Sequence, residues 1–557
     1  MQPDKAVQIK TISGYVESRV RKTPDKTWLR EQQSGSLMEW SWKEADEESQ
    51  AVAVWIESEY GNTGTRFAIL SRNRAHWMLA DTAIAASGNV SVPIFTTQSV
   101  DAAQYILNFS DVRVIFVGES ENWEAVSEVV PESVRLVALP GVEIAGPHMR
   151  WTDIVQQHAG KRVNHVCQPE DLMSLVFTSG TTGAPKGVMQ THASMLVPME
   201  RAKRAFKMRS DPRFLSYLPL AHIAERQLIW IQSLIHGGTV TFNESLPHLV
   251  RDMSETKPTY FFGAPRVWEQ LQQGILAQFG SQPELDAALS ADETSVGTKV
   301  RTLLGLMDTD YLLTASAPTP SALIRWYERL GIILMEGYGQ TEAMALICNM
   351  EGQHKIGSIG KPIEDVDVRI AESGELQCKA EGLSPGYYNM PEKTAETFVD
   401  GWVHTGDKAR KDADGFYYIT GRVKDYFKTI HGKYVSPVSI ESSFARNQWV
   451  EQQCLLGRGY SKTVMTCVLS AMAQEQERNL VEDSLMSRIG EINDSVEKHA
   501  RIGAIMIAVS PWTIENGMLT PTLKLRRDEI EAQFGERAME LAHDSAVRDE
   551  ILIEWGV

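Results

Sequence analysis

Between residues 66 and 118, short apolar runs (FAIL, VSVPIF and VIFVG) alternate with small-residue stretches such as MLADTAIAAS. Short apolar runs bounded by turns read as buried strands, and the stretches between them as helices, so this segment predicts parallel strands joined by helical crossovers. FAIL at 67–70 and VIFVG at 114–118 are buried strands on this reading, and LVFT at 175–178 has the same texture. A different period follows. Met195, Met199, Ala202 and Phe206 recur near helical spacing. In PRVWEQLQQGILAQFG, Val267, Leu271, Ile275 and Phe279 repeat every fourth residue just after Pro265, which predicts a helix starting at that proline and burying the stripe.

Near residue 420 the pattern changes again. DADGFYYITGR reads as a turn and a strand, and VKDYFKTIHGKYVSP is basic and glycine-containing. A helix around SIESSFARNQ, strands at EQQCLLGR and TVMTCVLS, and a charged helical ending follow. The expected architecture is α/β, mixing α/β and α+β parts. A large N-terminal domain (1–421) of several subdomains carries parallel-type sheets flanked by helices, and a smaller C-terminal α+β domain spans 422–557, with the junction near 422–425.

Composition narrows the function. The chain has 557 residues, 43% hydrophobic and 23% charged, which is ordinary globular usage. Its net charge of -17 argues against nucleic-acid binding through a basic surface, so any polyanionic ligand needs a locally basic pocket. Five scattered cysteines, with no C-x-x-C pair, fit a reducing, cytoplasmic setting and offer neither a disulfide framework nor a zinc site. The amino-terminal MQPDKAVQIK has charges where a signal peptide needs an apolar core, and no run is long enough to span a membrane. Peripheral membrane contact stays open.

The candidate chemistry begins at residues 178–187, TSGTTGAPKG, directly after the apolar LVF. A loop so rich in glycine is entropically costly to order, which implies a bound ligand. Amides of glycine-rich turns converge on anions, the hydroxyls of Thr178, Ser179, Thr181 and Thr182 add donors, and Lys186 adds charge. The string fails G-x-x-x-x-G-K-[ST]: counted from Gly180 the sixth residue is Pro185, and Gly187 follows Lys186. It instead resembles the phosphate-loop signature of the acyl-adenylate-forming (AMP-binding) superfamily, which includes acyl-CoA synthetases, firefly luciferase and peptide-synthetase adenylation domains. Three more motifs of that family follow in order: GYGQTE at 337–342, HTGD at 404–407 with Gly421-Arg422 after it, and NGMLTPTLKLRR at 516–527. YLPLAHIAER (217–226), APRVWE (264–269) and the LTPTLKLRR ending look like the long-chain fatty acyl-CoA synthetase branch.

The resemblance implies roles residue by residue. Thr178, Ser179, Gly180, Thr181, Thr182, Gly183 and Lys186 would hold the β- and γ-phosphates of ATP. Tyr338 and Gly339 would lie against adenine and Thr341 against the α-phosphate, with Glu342 the ligand of Mg²⁺, a hard cation held mainly through nucleotide phosphates. Ala315 and Ser316 stand at the adenine wall, where relatives commonly carry glycine. Asp407 would accept from the ribose hydroxyls and Arg422 would reinforce that grip. Lys524 would supply positive charge where the substrate carboxylate meets the α-phosphate. His222 resembles the histidine on the acyl-carboxylate side, and a buried histidine capping a helix is an equal reading. Lys424 matches the hinge on which the family rotates its small domain, bringing Gly432 and Lys433 to the CoA tunnel. Trp230, Phe261 and Phe262 stand near the right motifs to line an acyl tunnel and serve equally well as core.

The reaction so implied joins a fatty acid to CoA through an acyl-adenylate, releasing AMP and pyrophosphate. Two rivals share the motifs: an acyl-AMP ligase that delivers to a carrier protein, and a catalytically inactive lipid- or nucleotide-binding relative. Intact Lys186, Glu342, Asp407, Arg422 and Lys524 argue against the second.

Overall fold

The computed structural model describes residues 11–33, 35–178, 185–206, 208–520 and 524–557. The alternating segment forms a seven-stranded sheet in the order Met149–Arg150, Arg135–Ala138, Val112–Val117, Arg66–Leu70, Val90–Ile94, Leu172–Thr178, Lys186–Thr191. Its strands run parallel apart from the last, which turns back antiparallel on Leu172–Thr178. The MLADTAIAAS stretch lies in the helix Ala75–Ala86, every residue of which is buried. Such all-round burial explains why it shows no amphipathic period.

A second sheet carries three parallel strands, Tyr260–Gly263, Tyr311–Thr314 and Leu334–Gln340, extended antiparallel by Ala343–Cys348 and Lys361–Pro362. A third, antiparallel sheet contains Trp402–Lys411, on which Tyr417–Arg422 pairs. The helix predicted from Pro265 spans Pro265–Phe279. Its buried face is Trp268, Leu271 and Ile275, while Val267 and Phe279 are only partly covered. The fourfold stripe had the right helix and a slightly rotated face, because Trp268 outweighs the smaller Val267 in the core.

Beyond residue 424 a four-stranded sheet runs in the order Val450–Leu456, Thr463–Leu469, Ile502–Ile507, Leu552–Trp555. One face packs Val481, Leu485, Ile489 and Ile492 of helix Arg478–Ser495; the other packs Ile530, Phe534, Ala538 and Leu541 of helix Arg527–Arg548. The chain ends on a strand that pairs with Ile502–Ile507, where a helical ending was expected.

A buried knot ties the first sheet to the segment around His222. Arg226 is fully buried; its guanidinium pairs with the buried Asp81 of helix Ala75–Ala86 and donates to Ser174 Oγ at 2.7 Å on strand Leu172–Thr178. Burial raises the Asp81 carboxyl and Arg226 draws it back down. Trp230, Phe261 and Phe262 are all buried in the cores. No helix among the described residues is long and apolar enough to cross a membrane.

Candidate active site

Strand Leu172–Thr178 leads into the phosphate-loop motif and Lys186 leads out of it, with Thr178 and Lys186 opposite each other in register. Ser179, Gly180, Thr181, Thr182 and Gly183 lie outside the described residues. Lys186 Nζ sits over the ring of Tyr387, 5.7 Å from its centroid. Burial and the neighbouring Lys393 and Lys424 lower the Lys186 pKa, opposed by Glu342 and Glu396.

GYGQTE begins on strand Leu334–Gln340. Gln340 pairs with Ala343, so Thr341 and Glu342 occupy the tip of a tight hairpin. Gln190 Nε2 donates to the Thr341 carbonyl at 2.7 Å and the Tyr387 hydroxyl donates to Glu342 Oε1 at 2.6 Å. Glu342 Oε2 has no hydrogen-bond partner among the described residues, and among them no group of three or more His, Cys, Asp or Glu could enclose a metal. One free carboxylate oxygen, with no enclosing set of ligands, is a donor set that would suit Mg²⁺ carried mainly on phosphates.

Asp407, of the third motif, is buried. Its Oδ2 accepts from the Tyr338 hydroxyl at 2.6 Å and from Gln340 Nε2 at 2.8 Å, and its Oδ1 meets Arg422 Nε at 3.0 Å. Asp407 and Arg422 are cross-strand partners, which fixes that last contact. Tyr338 packs against the main core, and burial together with Asp407 raises its hydroxyl pKa. Gly339 lies between Tyr338 and Gln340, at a break in the strand register.

Ala315 and Ser316 follow the end of strand Tyr311–Thr314. Ser316 has φ of +74°, the left-handed region where a side chain costs about 1 kcal/mol or more. That is the physical reason a glycine suits this position, and this chain tolerates serine there. Glu336, two residues before Tyr338, accepts from the amides of Gly357 (3.0 Å) and Thr319, and burial pushes its pKa up to about 8.

His222 caps a helix, one of the two readings the sequence left open. Its Nδ1 accepts from the Ala224 amide at 3.2 Å, capping a helix that passes through a π-helical turn, Arg226–Ile231, before ending at His236. That bond leaves Nε2 as the protonated nitrogen, a donor. Burial, with Lys524 nearby, lowers the His222 pKa to about 3. Asn73 pins the preceding loop: its Nδ2 donates to Leu218 O at 2.6 Å and its Oδ1 accepts from Leu220 N at 2.9 Å.

Lys524 reaches this cluster from the carboxy-terminal region. The Thr520 amide donates to the Lys524 carbonyl at 2.8 Å and the Lys524 amide to Thr520 Oγ1 at 3.0 Å, ahead of helix Arg527–Arg548. Lys524 stays accessible to solvent, yet surrounding protein and Arg422 lower its pKa, against the pull of Asp407 and Glu342. It therefore stands within electrostatic reach of Arg422, Asp407, Glu342 and His222 together. Lys424 is exposed two residues after Arg422 and acts on Lys186 and Glu396. Gly432, with φ of +72°, and Lys433 lie on the turn between Phe427–Lys428 and Tyr434–Val435, and their backbone hydrogen bonds go to Thr429 in that hairpin.

Three side chains at the site escaped the sequence reading: Tyr387, Gln340 and Asn73. The run PGYYNMPE between the second and third motifs was the one signal for Tyr387.

Comparison with known proteins adds the following. A family described as AMP-binding enzyme matches residues 16–388, and its C-terminal domain matches residues 424–544. The long-chain-fatty-acid–CoA ligase FadD15 of Mycobacterium bovis is 27% identical over 94% of this chain and 95% of its own length. The human long-chain-fatty-acid–CoA ligase 1 is 27% identical over 89% of this chain and 81% of its own. Among solved structures, the adenylation domain of a carboxylate reductase from Mycobacterium chelonae superposes with a TM-score of 0.79 at 21% identity, over 95% of this chain and 90% of that one.

Proposed function

The chain belongs to the AMP-binding enzyme family, and from that premise we propose that it is an AMP-forming long-chain fatty acid–CoA ligase. The observation that carries the reading is the contact of Tyr338 and Arg422 with Asp407, which joins residues of separate motifs, with Lys524 in electrostatic reach of Arg422, Asp407, Glu342 and His222. The printed names of the curated relatives support the fatty acid and CoA.

In the first half-reaction a carboxylate oxygen of the acid attacks the α-phosphorus of ATP. The new O–P bond forms as the bond to the β-phosphate oxygen breaks, and pyrophosphate leaves. Two anions must approach, so fixed positive charge has to be in place beforehand. Lys524 supplies it next to the attacking oxygen and the α-phosphate. Neutral His222 donates from Nε2 to the acid carboxylate, held in that tautomer by its cap to Ala224. Lys186 and the loop 178–183 bind the outer phosphates, Thr341 the α-phosphate, and Tyr338, Gly339, Ala315 and Ser316 enclose the adenine. Asp407, steadied by Arg422, takes the ribose hydroxyls. Glu342 is the residue that would hold Mg²⁺, which when bound offsets phosphate charge.

In the second half-reaction the CoA thiol, giving up its proton to solvent, attacks the acyl carbonyl; the C–S bond forms as the acyl C–O bond to the phosphate breaks, and AMP leaves. For this step we assign residues 1–421 as one domain and 422–557 as a second that turns at Lys424, bringing Gly432 and Lys433 to the thiol's path. Thioester formation from purified protein, ATP, Mg²⁺, CoA and fatty acids of graded length tests the reading. Acyl-CoA from long acids supports it. Acyl-adenylate without thioester transfers the assignment to delivery onto a carrier protein, and no acid-dependent ATP consumption leaves a binding protein.

A further inference from the structure

We infer that Tyr387 is a positioning residue that holds Lys186 and Glu342 apart, leaving the amine free for phosphate and one carboxylate oxygen free for a divalent cation. The inference rests on the adenylating reading above. A neighbouring lysine and glutamate that are both half-buried attract strongly, since the effective dielectric there is well below that of water. Among the described residues no ion pair joins Lys186 and Glu342. Tyr387 stands between them. Its hydroxyl donates to Glu342 Oε1 at 2.6 Å, and its ring face takes the Lys186 ammonium at 5.7 Å. Each charge is thus partly satisfied by a neutral group that a nucleotide and its cation can displace or share at small cost.

The tyrosine is itself fixed. Its side chain is buried and rests edge-on against Phe398. Gly386 O accepts from Met189 N at 2.9 Å, and Tyr388 N donates to Gly187 O at 2.8 Å, so residues 386–388 are zipped onto the strand that begins at Lys186. The Tyr387 amide donates to Thr394 Oγ1 at 2.9 Å. Ser384 completes the clasp: its amide donates to the Glu342 carbonyl at 3.0 Å and its hydroxyl to Met189 O at 2.8 Å. One segment therefore sets the separation of the phosphate-loop lysine from the hairpin tip that carries Glu342.

The test removes one atom. In the full-length protein, Mn²⁺ binding is followed by electron paramagnetic resonance with saturating α,β-methylene-ATP, which is not turned over, beside wild type, Tyr387→Phe, Glu342→Gln and the double variant. Tyr387→Phe keeps the ring and fold, checked by its melting temperature, and lets Glu342 swing toward Lys186. The expected result is Mn²⁺ affinity in the nucleotide complex lower by about tenfold or more, the range for losing an outer-shell partner of a metal ligand. The KM for ATP should rise with that for the acid unchanged, and Glu342→Gln should add little when combined with Tyr387→Phe. Wild-type Mn²⁺ affinity in Tyr387→Phe, or full additivity with Glu342→Gln, overturns the inference. A wild type that binds neither nucleotide nor Mn²⁺ overturns the adenylating reading itself, and the inference with it.

Discussion

Replacing Asp407 by asparagine changes one atom and has a calculable outcome. The carboxylate receives three donors: Tyr338 Oη and Gln340 Nε2 on Oδ2, and Arg422 Nε on Oδ1. An asparagine amide must place its NH₂ on one side. Facing Arg422 at 3.0 Å it would set a donor against a cation that cannot lose its proton, so the amide turns its NH₂ toward Gln340 and Tyr338. The tyrosine hydroxyl can rotate to accept, and the Gln340 amide cannot without abandoning the Thr405 carbonyl at 2.9 Å. For a ribose held as proposed, two charge-assisted bonds would become one neutral bond and one mismatched donor. Charge-assisted hydrogen bonds contribute about 1.5–3 kcal/mol against about 1 for neutral ones. The loss is therefore about 2–5 kcal/mol, which converts to a rise of roughly 30-fold or more in the KM for ATP. Acid-dependent ATP–pyrophosphate exchange measures it, with the acid KM expected to stay put. The discriminating substrates are 2′-deoxy-ATP and 3′-deoxy-ATP: wild type should prefer ATP strongly and Asp407→Asn should not. A variant that binds ATP within about threefold of wild type and discriminates as sharply would refute the assignment of Asp407 to the ribose, because a full hydrogen bond difference is at least that large.

Other outcomes follow from the same contacts. Lys524→Ala should slow adenylation by about 10²- to 10³-fold, the scale for removing one preorganised charge, while thioester formation from supplied acyl-adenylate falls far less; comparable losses in both halves would contradict the placement. Asp81→Leu leaves the fully buried Arg226 charge alone and should destabilise the protein by about 3–5 kcal/mol, whereas Asp81→Leu with Arg226→Met should recover most of the melting temperature. Burial lowers His192 and His236 to pKa values of about 4. Their neutral forms favour the fold above pH 6.5, and stability is lost as pH falls from there toward 4, by about 1.4 kcal/mol per unit for each. His192→Asn should flatten the decline in melting temperature between pH 6.5 and 5. His222, at about 3, stays neutral in this range, so the pH profile of acid binding should show no inflection near 6.5 from this residue.

Much of the architecture could be read before any coordinates. The strands Arg66–Leu70, Val112–Val117 and Leu172–Thr178 lie where apolar runs predicted them, because a parallel sheet covered on both faces demands such runs. The motif residues were legible as a set for a different reason: glycine-rich turns and charged tips have few structural substitutes. What escaped depends on contacts distant in sequence. Tyr387 is one of two adjacent tyrosines, and only the pairing of 386–388 with the strand Lys186–Thr191 picks it out from Tyr388, which packs on Phe109 instead. Asn73 acts on a loop some 145 residues away. The final strand Leu552–Trp555 is four residues after a long charged helix, too short for its period to register against that background.

Arg422 ends the strand that lies against Asp407, and the next amide, Val423, donates to the Gly406 carbonyl at 2.8 Å. The proposed turn at Lys424 begins one residue beyond this bond, so a rotation that reached back to Val423 would strain the contacts on either side of Asp407. If the carboxy-terminal region rotates as proposed, pocket occupancy and its orientation would be two arms of one closed thermodynamic cycle: whatever factor the rotation imposed on nucleotide affinity, the nucleotide would return to the rotation. On the proposed reading, a single aspartate would be the gauge by which the molecule senses that AMP has yet to leave.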